Sequence, residues 1–149
     1  MKSCAPKTSL VPASVPLAIA GSLAVIFVLV SAAQSNSPVW AAKGEVLATN
    51  RLDVDFSKFQ VTFLELGADR CIPCKKMQPI MKEIAAMFPD RVQVVFCDVW
   101  KDPAPAEKYK IQLIPTQVFL DQKGKEIARH VGLFPKEEIL DLLKKHGVS

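Results

Sequence analysis

Two cysteines separated by two residues, Cys71-Ile72-Pro73-Cys74, are the residues of this chain most able to do chemistry. They follow a short apolar run and open a stretch with helical spacing, so the pair is expected at a strand-to-helix junction. At a helix N-terminus the unpaired backbone N–H groups and the macrodipole stabilise a thiolate. Cysteines so placed can fall from a pKa of about 8.5 into roughly the 3.5–7.5 range. Arg70, Lys75 and Lys76 add positive charge, which Asp69 partly opposes. Cys71 is then expected to be the exposed nucleophile. Cys74, one turn later on the same face, is placed to attack a mixed disulfide and release the partner. Pro73 is tolerated in the first helical turn, where no intrahelical N–H is lost.

Other chemistries remain open for the pair. A structural bridge is possible in an oxidising compartment, but so small a loop constrains little chain. Zinc would need more ligands, no second cysteine pair exists, and His130 and His146 lie far along the chain. Soft thiolates suit copper, yet no methionine or histidine arrangement specifically supports it. The favoured reading is a redox pair that needs no metal and no other cofactor.

The elements that must position this pair can be read from the hydropathy pattern. Glu45–Ala48 could form a short edge strand, and Val61-Thr-Phe-Leu-Glu-Leu66 reads as a buried strand ended by Gly67. A helix starts near Cys71 or Ile72, carries Met77, Met81, Ile84 and Phe88 at helical spacing, and stops at Pro89-Asp90. A kink is expected at Pro79. Val92–Val99 is a second strand, and Ala104–Lys110 leaves room for a short helix. Thr116–Leu120 and Lys125–Val131, around a turn at Asp121–Gly124, form a hairpin. Pro135 opens a last helix, with acids in its first turn and Lys144-Lys145-His146 at its end. Alternation followed by a hairpin implies an α/β fold: a mixed sheet flanked by helices.

The stretch from about Val61 to His146 resembles the thioredoxin family. Besides the cysteine pair, the shared landmarks are Pro79 in the active-site helix, Lys108-Tyr109, Ile114-Pro115-Thr116 before the hairpin, and Val131-Gly132 after it. The resemblance implies a thioredoxin fold and a protein-disulfide oxidoreductase activity. It also implies a cis Ile114–Pro115 peptide against the cysteines. A bound polypeptide would then lie along Ile114, Pro115, Ile72 and Pro73. Glu65 matches the family's buried acid, and burial should raise its pKa and let it serve as base for Cys74; a place on a solvated sheet face is the alternative. The chain departs from the family at Arg70 and Gly67, where tryptophans are common, and at Phe96, where a lysine usually accompanies the acid. Cys97, in an apolar strand, reads as a small buried hydrophobe, and Met77, Met81 and Met87 as core or rim packing. Trp100 either borders the site or is partly buried in a loop.

The rest of the composition bears on where such a protein works. The chain has 149 residues with 19 Lys+Arg and 15 Asp+Glu, but Thr8–Ala42 carries no charge at all. Lys2 and Lys7 precede an apolar stretch, Leu17–Ala33, followed by small and polar residues. This pattern is expected of a signal peptide, or of an uncleaved membrane anchor with the domain outside. Residues 1–41 are assigned to that leader and 42–149 to the thioredoxin-like domain. Cys4 precedes the apolar stretch and is not placed as a lipid-anchor cysteine. A net charge of only +2 downstream excludes nucleic-acid binding as the main theme. The expected function is therefore a monomeric thiol–disulfide oxidoreductase, periplasmic or membrane-anchored. It would reduce disulfides in exported proteins and draw electrons from a membrane thiol donor. The alternatives are a thiol partner in cytochrome c maturation, a metal-thiolate carrier, or a redox-silent peptide-binding module.

Overall fold

A computed structural model of the chain describes residues 43–149. The apolar stretch in which the leader is expected, and Cys4 with it, lie outside the described residues. No helix among those described is long and apolar enough to cross a membrane.

Five strands form one sheet in the order β1-β3-β2-β4-β5. They are β1 (Val46–Ala48), β2 (Val61–Gly67), β3 (Val92–Asp98), β4 (Thr116–Leu120) and β5 (Glu126–Val131). β1 and β2 run parallel to β3, while β4 runs antiparallel to β2 and β5 antiparallel to β4. The helices are α1 (Ile72–Met87), α2 (Ala104–Lys108) and α3 (Lys136–Lys145). The expected α/β architecture and order of elements hold, with β1 as the edge strand.

All seven residues of β2 and of β3 are buried. That is why they read as nearly continuous apolar runs, since a central strand covered on both faces has no wet side. Alternation survives as a division between two cores. Val61, Phe63, Val92, Val94 and Phe119 join Met77, Met81 and Ile84 of α1 and Ile139 and Leu143 of α3 on one face. Leu64, Leu66, Val95, Cys97, Val118 and Leu120 fill the other. α1 is a single helix through Pro79 and ends where the Phe88 N–H donates to Ile84 O at 3.1 Å.

The strand register brings four chain segments together at one end of the sheet. Gly67 ends β2 opposite Asp98 at the end of β3. Because β4 is antiparallel, its first residue pairs with Leu66, which sets Pro115 beside the end of β2. Thr116 also pairs with Val131 at the end of β5, and the Gly132 N–H donates to Pro115 O at 2.8 Å. Gly132 has φ +98°, a left-handed conformation that glycine adopts without a Cβ penalty.

Candidate active site

Cys71 caps α1, and its sulfur accepts the Cys74 N–H at 3.3 Å. It sits at the end of a tight turn, with its own N–H donating to Ala68 O at 3.1 Å and the Lys75 N–H donating to its carbonyl at 3.0 Å. Cys71 and Cys74 are joined in a disulfide with Cα atoms 5.2 Å apart. Pro73 occupies the first turn, as expected. Cys71 retains 8% of its surface against 1% for Cys74. The expected order of access holds, but the expected degree does not: Cys71 is largely covered because Ala68 and Ile114 pack against the pair. Ile72, by contrast, is 71% exposed beside the pair. The Asp69 carboxylate is held by Lys101, so it opposes the helix N-terminus less than its position in the sequence suggests.

Two residues before Gly67 on the neighbouring strand β2 lies the buried acid. Glu65 has no solvent exposure, and its carboxyl oxygens have no hydrogen-bond partner of good geometry. A solvated position is therefore overturned: β2 is central, and both of its faces are covered. Burial pushes the Glu65 carboxyl from its ordinary 4.5 up to about 8, with the Gln117 side chain pulling it partly back. On β3 its partner is Phe96, which is buried and apolar where the family commonly has a lysine. On β4 its partner is Gln117. Glu65 and Gly67 share a face of β2, about 6.6 Å apart along the strand. A Cβ at Gly67 would lie 3.2 Å from the Cys74 Cβ and Sγ and 3.2 Å from the Phe96 ring. Glycine thus lets Cys74 settle directly on the strand, and Phe96 lies where a larger side chain at 67 would project. The departures at 67 and 96 are one packing change.

The Ile114–Pro115 bond is cis, as the resemblance implies, and Ile114 packs on Ala68, Cys71 and Cys74. The Thr116 hydroxyl donates to Leu113 O at 2.7 Å and closes this loop. Leu113, Val131, Leu133 and Trp100 are exposed apolar side chains of the same region or its flanks. Trp100 is thus solvent-exposed rather than partly buried.

Two residues that bear on the site were not singled out from the sequence. Asp98 accepts the Asp69 N–H at 3.2 Å, the Trp100 N–H at 3.1 Å and the Lys101 N–H at 3.2 Å, and so ties the loop before Cys71 to the end of β3. Its signal is an acid at a strand end followed by a turn. Gln117 is fully buried; its signal is the period of two that puts it, with Phe119, on the face shared by Glu65. Cys97 is buried, and desolvation raises its thiol to about 12, which fits a packing residue. Met77 and Met81 are core residues, with the Met77 sulfur accepting the Phe134 N–H at 3.3 Å, whereas Met87 is exposed. His130 stacks on Phe134 with ring centroids 4.0 Å apart. Among the described residues no group of three or more His, Cys, Asp or Glu side chains could hold a metal ion.

A reducible cysteine pair capping a helix, a buried acid on the adjoining strand and a cis-proline loop beside the pair define a thiol–disulfide oxidoreductase built on the thioredoxin fold. The sequence pattern of the family described as thioredoxin matches residues 45–145. The thioredoxin of Chlamydia trachomatis is 36% identical over 86 residues, covering 58% of this chain and 82% of that protein. Thioredoxin from Staphylococcus aureus is 34% identical over 97 residues, covering 63% and 92%. Among solved structures, a mutant thioredoxin from Halobacterium salinarum superposes with a TM-score of 0.64 at 26% identity, covering 71% of this chain and 94% of that one. This chain belongs to the thioredoxin family.

Proposed function

We propose that the protein reduces disulfide bonds of exported proteins, working outside the cytoplasm and recharged by a membrane thiol donor. The observation that carries the chemistry is the Cys71–Cys74 disulfide at the N-terminus of α1, with Cys71 the more accessible sulfur. In the reduced protein the Cys71 thiolate attacks a client disulfide. A Cys71–client S–S bond forms, the client S–S bond breaks, and one client thiolate leaves and takes a proton from water. Cys74 then gives its proton to the Glu65 carboxylate and attacks the Cys71 sulfur. The second client thiolate leaves and is protonated in turn, and the client has gained two electrons. Recharging runs the sequence backwards with a donor dithiol. At pH 7 Glu65 in the oxidised protein is mostly protonated, given a value of about 8, and so holds a proton ready for the departing Cys74 thiolate.

The location is supported by the charge-free, apolar segment after Lys2 and Lys7. A protein outside the membrane has no access to a cytosolic nicotinamide-dependent reductase, which is the reason for a membrane thiol carrier as donor. The domain is taken to act as a monomer. Two measurements test this reading. Purified reduced protein should reduce a disulfide-bonded protein substrate, and Cys71→Ser should not. In intact cells a membrane-impermeant maleimide should label Cys71. Labelling only after lysis would overturn the location and leave the chemistry standing.

A further inference from the structure

Glu65 faces a different residue from every element packed against it. On β3 its partner is Phe96; α1 approaches the same face of β2 with Cys74 against Gly67, two residues further along the strand, while Lys75 and Lys76 of α1 are exposed. From β4 it meets Gln117, directly opposite in the antiparallel register, where paired residues project to the same face. Beyond Gln117 its partner on β5 is His130, which stacks on Phe134 and engages Leu133 O at 3.3 Å. Among the described residues no cation acts on the carboxyl, and Gln117 is the polar side chain that does.

The Gln117 amide is not free to turn. Its Nε2 donates to Gly132 O at 3.0 Å, and because a carbonyl only accepts, the nitrogen must be the atom on that side. An amide nitrogen carries two protons, so the second remains for another acceptor. Gly132 is itself fixed by its N–H bond to Pro115 O. One chain of hydrogen bonds therefore runs from the proline loop through Gly132 to Gln117, which stands opposite the buried acid across the strand pair.

We propose that Gln117 is the positioning residue for Glu65, standing in for a cation: anchored on Gly132, its amide turns a proton toward the carboxyl and lets Glu65 ionise. This rests on the dithiol mechanism proposed above and specifies how its proton acceptor is tuned. A neutral amide stabilises a carboxylate less than a lysine does, so Glu65 stays protonated in the resting oxidised protein yet can still take a proton from Cys74. The Gly132 anchor also couples that tuning to the Ile114–Pro115 loop, along which a bound polypeptide would lie.

The test replaces the amide by an unbranched apolar side chain of similar size, Gln117→Met, with Gln117→Leu as a second variant should the first fold poorly. The carboxyl carbon of Glu65 is followed by NMR in the oxidised protein across pH 5–10, without turnover. The expected result is an alkaline displacement of its titration. Resolution of the mixed disulfide at pH 7 should slow about tenfold, the size of one lost hydrogen bond to a charged group. In a Glu65→Gln background the same replacement should leave the pH profile of resolution unchanged. An unmoved or acid-shifted titration overturns the proposal, as does an equal slowing in the Glu65→Gln background. Failure of the dithiol mechanism itself would show in a different place, as loss of client trapping by Cys74→Ser, and would leave the NMR titration intact.

Discussion

Neutralising the buried acid by Glu65→Gln is expected to change how stability depends on pH. In the unfolded chain Glu65 titrates at its ordinary 4.5, and in the oxidised folded protein at about 8. The folded state therefore binds more protons between these values, and stability falls as pH rises through that window. The favourable contribution is fully present below pH 4.5 and lost above pH 8. Each tenfold difference in proton affinity corresponds to about 1.4 kcal/mol, so the two values set a ceiling of roughly 5 kcal/mol. A loss of a few kcal/mol is expected, since water entry and local relaxation soften the cost of a buried charge. Other carboxyls do not mask the effect. At Asp98 the hydrogen bonds together outweigh desolvation, and at Asp121 and Glu126 hydrogen bonds dominate, so all three are held below their ordinary values and titrate under this window. Urea unfolding of the oxidised protein at pH 5, 7 and 9 measures the effect without thiol titration at the active site. The wild type should weaken steadily across the series, and Glu65→Gln should lose most of that slope. The variant should match the wild type at pH 5 and exceed its stability at pH 9. Parallel curves for the two proteins would refute a buried, uncompensated carboxyl at this position.

Three further outcomes are expected. Iodoacetamide should alkylate Cys71 before Cys74 in the reduced protein at neutral pH, because Cys74, on α1, is buried against Gly67 of β2; mass spectrometry of early time points reads the order, and equal rates would contradict the roles assigned. Cys74→Ser should accumulate mixed disulfides with client proteins, visible on non-reducing gels, because attack survives while resolution is lost. Gly67→Ala should destabilise the oxidised protein by about 1–3 kcal/mol, the usual range for overpacking, since the new methyl meets Cys74 and Phe96 at 3.2 Å; an unchanged denaturation midpoint would show that the site gives way freely.

Much of this protein is legible from its chain alone, because local patterns carry it. The pair Cys71–Cys74, the helical spacing of Met77, Met81 and Ile84, and the hairpin around Gly124 each lie within a few residues. Each states its own element through a period of 3.6 or 2 or through a turn. The expectation of a nucleophile at a helix start follows from that local order. What the chain alone left open was every property set by neighbours distant in sequence. Glu65 could be wet or buried until β3 and β4 closed on both sides of it. Cys71 was expected to be open, and Ile114, more than forty residues away, covers it. Gln117 reads as an ordinary strand residue until the antiparallel register sets it opposite Glu65 and Gly132 fixes its amide. Burial and pairing are sums over the whole sheet, so a carboxyl's proton affinity is decided by tertiary structure, while the identity of the residue that carries it is decided by sequence.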